Sequence, residues 1–168
     1  MPSRVVGGAG QGGHAGGMIT LRYLAERPDL APEAAQWLYR EWGHRYPGRT
    51  PETAVDLFLR RANISRLPCA WLALHEGRPV ATASLVETEV PSDEIGPWVA
   101  SVYVDDAYRG QGLAQRLMVA IEAAAPYFGA KRLLLSAAAP ALYFKLGYRP
   151  TGATKNGEPV MQKGLAPR

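Results

Sequence analysis

Apolar positions along the chain recur in two rhythms. Alternation with a period of two, the mark of a strand with one face buried, runs through "MITLRYL" from Met18 and through Trp98 to Val104. Helical spacing places Ala34, Leu38 and Trp42 on one face, and Leu113, Ala114, Leu117, Met118 and Ile121 on another. Punctuation sharpens these boundaries. Pro32 suits the first position of a helix, and Thr50 with Pro51 reads as an N-cap followed by N1 of a second helix reaching about Ala62. Pro126 is expected to stop the third helix at about Ala125. "CAWLALHEGRPVATASLVETEV" reads as a hairpin joined through Glu76-Gly77-Arg78-Pro79, and "KRLLLSAA" fits a buried strand. A short helix across "PALYFKLGY" is closed by Gly147, and two strand-like pieces flank an Asn156-Gly157 turn. The resulting order, β-α-α-β-β-β-α-β-α-β-β, predicts an α+β (mixed α/β) class built on one central sheet.

Of the 168 residues 47% are apolar, enough for a sizeable core, and no internal repeat is evident. Residues 1–17 stand apart, because positions 7 to 17 hold seven glycines and no bulky apolar residue. They are read as a flexible tail, with the domain spanning 18–168. "GAGQGG" in that tail is not a dinucleotide fingerprint, since no strand precedes it and no helix follows. A net charge of +4 from dispersed Arg and Lys suits a small anionic cofactor at least as well as nucleic acid, so no nucleic-acid partner is expected. Cys69 is the only cysteine, which excludes an intrachain disulfide and a thiolate zinc site; no metal is expected. No apolar run suits a membrane span or a signal peptide, so a cytoplasmic location without membrane association is expected.

The candidate chemistry starts where the strand ending at Val104 runs into Arg109-Gly110-Gln111-Gly112 and then into a helix. A helix N-terminus offers unpaired N–H groups and about half a positive charge, and glycine lets an anion approach closely. The Lys-Ser or Lys-Thr of a nucleotide P-loop is missing, and one glycine of a Rossmann fingerprint is missing too. Taken alone, the turn reads equally well as an anion cradle and as a tight connection.

A second stretch, "LYFKLGY", follows about thirty residues later. Together, strand–"YRGQGLA"–helix and strand–"LYFKLGY"–strand resemble the GNAT superfamily of acyl-CoA-dependent N-acetyltransferases. Arg109, Gly112 and Ala114 match that family's R/Q-x-x-G-x-G/A motif. The resemblance covers the element order from Met18 to about Leu165 and implies a mostly antiparallel, splayed mixed sheet flanked by helices. It also implies acetyl-CoA as co-substrate. Backbone N–H groups of Arg109, Gly110, Gln111, Gly112, Leu113 and Ala114 would hold the pyrophosphate. Val102, Tyr103 and Val104 would pair with the pantetheine arm, and an N–H of that strand could polarise the thioester carbonyl.

Tyr143 matches the family's usual general acid for the leaving thiolate. A phenol near pKa 10 against a thiol near 8.5 leaves a transfer only about 2 kcal/mol uphill. The plain alternative is a half-buried aromatic without chemistry. The sequence departs from the family after the fifth strand, where an Asn is common; here that contact is absent or passes to Ser136. Nor does a carboxylate lie within Trp98 to Val104, so the general base stays unassigned among Glu87, Glu89, Glu94, His75 and His44. Glu87, Glu89, Asp93 and Glu94 would attract a cationic amine if their loop borders the acceptor groove. The expected activity is direct acetyl transfer to a primary amine of a small molecule or peptide in a ternary complex. A non-catalytic acyl-CoA-binding module is the alternative, and a homodimer is left open.

Overall fold

The structure is a computed structural model that describes residues 17–88 and 96–167. Among these residues, seven strands form one sheet: β1 (Ile19–Tyr23), β2 (Cys69–His75), β3 (Arg78–Val86), β4 (Trp98–Val104), β5 (Arg132–Ser136), β6 (Arg149–Lys155) and β7 (Glu158–Gly164). Their spatial order is β1-β2-β3-β4-β5-β7-β6, and every neighbouring pair is antiparallel except β4 and β5. Four α-helices among the described residues flank the sheet: α1 (Ala31–Trp42), α2 (Pro51–Leu59), α3 (Leu113–Ala124) and α4 (Pro140–Lys145). The expected element order holds throughout. Of the Gly-rich segment only Gly17 is described; the rest of that tail, with Glu89, Asp93 and Glu94, lies outside the described residues.

Three boundaries differ from those read in the sequence, each for a local reason. α1 starts at Ala31, so Pro32 takes the second position, where its missing N–H is equally harmless. α2 ends at Leu59 with Arg60 as C-cap, short of Ala62. α3 ends at Ala124 with Ala125 as C-cap, as Pro126 predicts, and a 3-10 turn over Ala125–Phe128 follows and stops at Gly129 (φ 80°). The hairpin connection between β2 and β3 is only Glu76-Gly77, with φ of 51° and 77°, and Asn156-Gly157 between β6 and β7 repeats that geometry. Positive φ at both central residues gives the twist that suits antiparallel strands.

The sheet is covered on both faces. α3 lays Leu113, Leu117, Met118 and Ile121 against Ala81, Ala83 and Leu85 of β3 and Val99, Val102 and Val104 of β4. α1 and α2 cover the other face, where Trp37, Leu38, Trp42 and Phe58 pack on Ala70, Leu72 and Tyr103. Trp37 and Trp42, only 6% and 1% exposed, are therefore core residues. Burial on both sides explains why β2 and β3 read as near-continuous apolar runs rather than as alternation.

α2 is fixed at its start by a reciprocal cap. Thr50 Oγ1 accepts from the Thr53 N–H at 3.2 Å, and the Thr50 N–H donates to Thr53 Oγ1 at 2.8 Å. Thr50→Ala removes one half of this pair and is expected to lower stability by about 1 kcal/mol. Urea denaturation checks it: the midpoint should fall with the slope unchanged.

Candidate active site at the fork between β4 and β5

Among the described residues, the ladder between the parallel strands β4 and β5 is confined to Trp98 opposite Leu134, with the Leu134 N–H donating to the Pro97 carbonyl at 3.2 Å. Each strand stays paired on its other side, β4 with β3 and β5 with β7. The strands therefore part beyond Trp98, and their facing backbone edges border a fork.

An irregularity in β4 helps to open it. Thr82 of β3 lies opposite Tyr103, but Ser84 lies opposite Ala100, so β4 carries one extra residue. Ser101 takes up the excess in the left-handed region at φ 55°, which a non-glycine residue adopts only at a cost. The bulge resets the alternation: Trp98, Ala100 and Tyr103 face the α1 side, whereas Val99, Val102 and Val104 face α3. Buried polar groups at this point are joined by Arg61, just beyond α2. Its Nη1 donates to Ser84 Oγ at 3.0 Å and to Ser101 Oγ at 2.9 Å, and its carbonyl accepts from the Ala70 N–H at 2.9 Å.

Above the fork lies the glycine turn. A 3-10 turn over Asp106–Tyr108 leads to Arg109, then to Gly110 and Gly112 at φ 77° and 76°. Gly112 is the N-cap of α3 and supplies no side chain, so the first N–H groups of α3 are left to other partners. A Cβ built on Gly110 or Gly112 would meet nothing within 4 Å. Glycine is thus required here by backbone conformation and not by crowding, and the space before the turn is open. The Arg109 side chain turns away from that space to brace the loop: Nε donates to the Val104 carbonyl at 3.1 Å, and Nη2 pairs with Asp106 at 2.8 Å. Leu113 and Ala114 are buried, so only their backbone can serve a ligand.

Tyr143 sits on α4 with no exposed surface, in the apolar cluster that contains Val102, Leu113, Ala114 and Leu135. Ser136 is buried at the end of β5, opposite Val160 of β7. Tyr103 contributes to the fork through its backbone alone, because its ring stacks on Trp37 at 5.6 Å and meets Trp42 edge-on.

The described base candidates occupy three separate places. His75 Nδ1 contacts the Tyr108 hydroxyl at 2.7 Å, and His44 is exposed in the turn after α1. Glu87 is exposed and lines a cavity of about 640 Å³ with Gly96, Pro97, Lys131 and Arg132, at the start of β4. Sequence reasoning missed the bonds of Arg61 to Ser84 and Ser101. Nothing local marks an arginine whose hydroxyl partners lie 23 and 40 positions away.

With the geometry in place, comparison with known proteins defines the class. The model of the Acetyltransferase (GNAT) family matches residues 31–148, and the chain belongs to that family. Among curated proteins none matches significantly. Solved structures share the fold at low identity. One is a GCN5-related N-acetyltransferase from Ralstonia eutropha JMP134, 24% identical at a TM-score of 0.59, the match covering 83% of this chain and 97% of that one. An aminoglycoside 6'-N-acetyltransferase complexed with coenzyme A is 17% identical at a TM-score of 0.67, over 90% of this chain and 98% of that one. A predicted acetyltransferase from Clostridium acetobutylicum, solved with acetyl-CoA, is 17% identical at 0.64, over 83% and 95%. No helix among the described residues is long and apolar enough to cross a membrane.

Cys69, the one thiol, lies on β2, two strands away from the fork, and is fully buried. Its Sγ–H donates to the Arg66 carbonyl at 3.0 Å, and burial pushes its pKa up to about 11. A thiol held protonated and out of reach makes a poor nucleophile. In the folded protein at pH 8, a thiol-reactive disulfide such as DTNB should therefore label Cys69 roughly 100-fold or more slowly than in guanidinium. Equal rates would show that the thiol is accessible and ionised in the native state.

Proposed function

We propose that the chain transfers an acetyl group from acetyl-CoA to a primary amine of a small molecule or peptide, by direct attack within a ternary complex. The observation that carries this reading is the start of α3. It has no side-chain cap, rests on two left-handed glycines with open space before them, and follows directly from the open edge of β4. An anionic group fits such a place because N–H donors converge there and the helix dipole favours negative charge. The Arg109–Ala114 backbone is assigned to the pyrophosphate, and the Val102–Val104 edge to the amides of the pantetheine arm. Ser136, across the fork, is assigned to the cofactor side as well.

Acetyl-CoA supplies an activated acyl carbon on a thiolate leaving group. On the protein side, an N–H of β4 within the fork stabilises the negative charge that develops on the carbonyl oxygen as the amine nitrogen adds. The C–S bond then breaks, and Tyr143 donates its phenolic proton to the departing sulfur. The proton shed by the new amide nitrogen balances the one given to the sulfur and restores the phenol. The base that first neutralises the amine is left unassigned. Burial of Cys69 away from the fork supports direct transfer over a covalent acyl-enzyme.

Gly112→Val should weaken CoA binding at least tenfold, about 1.4 kcal/mol, as measured by calorimetry on the folded variant. It both opposes the positive φ and places a branched side chain in the open space. Undiminished affinity would remove the turn from the site.

Tyr143→Phe separates an enzyme from a binding module. Turnover, followed as free thiol released with a panel of small amines, aminoglycosides and peptide N-termini, should fall by roughly 10²-fold. The KM for acetyl-CoA should stay near its original value, because the hydroxyl acts as the thiolate forms. A variant as fast as the parent would leave Tyr143 a packing residue. CoA binding with no turnover of any amine by the parent would favour the acyl-CoA-binding module.

A further inference from the structure

α4 has only six residues, too few for a helix to hold its own shape, so the orientation of Tyr143 must be set from outside. The C-terminal end of α4 supplies the means. The Tyr148 N–H donates to the Tyr143 carbonyl at 2.9 Å, and the Gly147 N–H to the Phe144 carbonyl at 3.1 Å, around Gly147 at φ 92°. This is the paired bonding of a Schellman ending, and it usually brings the flanking apolar side chains together. Here those side chains are Tyr143 and Tyr148, whose rings meet edge to face at 5.9 Å and 75°.

Tyr148 is in turn anchored, and by its polar end. Both rings are wholly buried, and a buried hydroxyl is costly without a partner. The Tyr148 hydroxyl donates to Glu122 Oε1 on α3 at 3.0 Å, and Lys163 Nζ on β7 donates to Glu122 Oε2 at 2.8 Å. Burial, reinforced by the Glu122 carboxylate, drives the Tyr148 pKa well above the ordinary phenol value, so this oxygen remains a donor at neutral pH. Lys163 Nζ also lies 5.7 Å from the centre of the Tyr148 ring. A phenylalanine could fill the same ring volume; the hydroxyl adds only the tie to Glu122.

From these contacts we infer that Tyr148, Glu122 and Lys163 form a positioning network that holds the Tyr143 ring in place for proton donation. Tyr148 and Glu122 are positioning residues, acting through Tyr143 and not on the substrate. The inference rests on the reading of Tyr143 as the acid. The network ties that acid to α3, the helix whose N-terminus is assigned to the cofactor.

The test compares the full chain with Tyr148→Phe, Glu122→Ala, Glu122→Gln, Tyr143→Phe and the double variant Tyr143→Phe/Tyr148→Phe. Each is labelled with ζ-13C tyrosine, the Tyr143 signal being assigned by its loss in Tyr143→Phe. In Tyr148→Phe and Glu122→Ala that signal should shift or broaden, whereas Glu122→Gln, which keeps an oxygen for the hydroxyl, should restore much of its position. This readout needs no acceptor. With an amine that is turned over, Tyr148→Phe should lower kcat roughly five- to tenfold and leave the KM for acetyl-CoA within about twofold. The double variant should be no slower than Tyr143→Phe alone, because a misplaced acid is lost only once. An unmoved Tyr143 signal in Tyr148→Phe, or losses that multiply in the double variant, would overturn the network. Wild-type turnover by Tyr143→Phe would instead overturn the acid assignment, and the carbon signals would still decide whether Tyr148 positions the ring.

Discussion

A parallel ladder that stops after one residue pair is the constraint on which the rest of the molecule depends. Two parallel strands side by side would ordinarily continue to pair, since unpaired backbone groups in a protein interior are costly. Here the two halves of the sheet are each complete by other means. β4 is held by β3, and β5 by β7, while the α3 face packs residues from both halves into one apolar cluster. Parting the strands therefore costs only the hydrogen bonds across the gap, and the amides of an extended ligand can replace them. The bulge at Ser101 belongs to the same arrangement. It places a strained residue beside the opening, and Arg61 meets the buried hydroxyls there from just beyond α2.

Conformation and electrostatics meet at the start of α3. The two other long helices are finished differently: α2 carries a reciprocal Thr50–Thr53 cap, and α1 continues directly from a preceding 3-10 turn. α3 begins on a left-handed glycine with neither device. Arg109, the residue most obviously suited to an anion, spends its guanidinium on Asp106 and on the Val104 carbonyl. What remains for an anion is backbone, held in shape by that arginine. On the proposed reading, such a site would recognise phosphate by geometry and partial charge, without a dense run of basic residues elsewhere in the chain.

Much of the fold was legible because local signals agreed with one another. Pro51 after Thr50, Gly147 after the short helix and Asn156-Gly157 each fixed an element by a conformation few other residues adopt. Pro126 marked the end of α3 correctly, and what it did not announce is the 3-10 turn that follows, because proline is as welcome at the start of a new turn as it is hostile inside an old one. Of the proposed site, the contiguous part was legible in its conformation: the "YRGQGLA" turn, whose two left-handed glycines lead into α3. What could not be read were contacts between distant positions. Arg61 reaching Ser101, Tyr148 reaching Glu122, and Lys163 reaching the same carboxylate are separated by 40, 26 and 41 residues. Nothing in the periodicity of any one element encodes them.

The burial of Tyr143 bears on how the proposed chemistry would be controlled. An exposed phenol could exchange its proton with water at any time, and water could equally protonate the departing thiolate. Tyr143 instead has no solvent-exposed surface and shares its cluster with Val102 of β4 and with Leu113 and Ala114 at the start of α3. That cluster also holds residues of the strand assigned to the pantetheine arm and of the helix start assigned to the pyrophosphate. On the proposed reading, a sulfur reaches the hydroxyl by entering between β4 and β5, where the carbonyl is polarised in the same act. Proton donation would then be conditional on a correctly seated thioester, and the open ladder proposed to admit the thioester would also limit access to the acid.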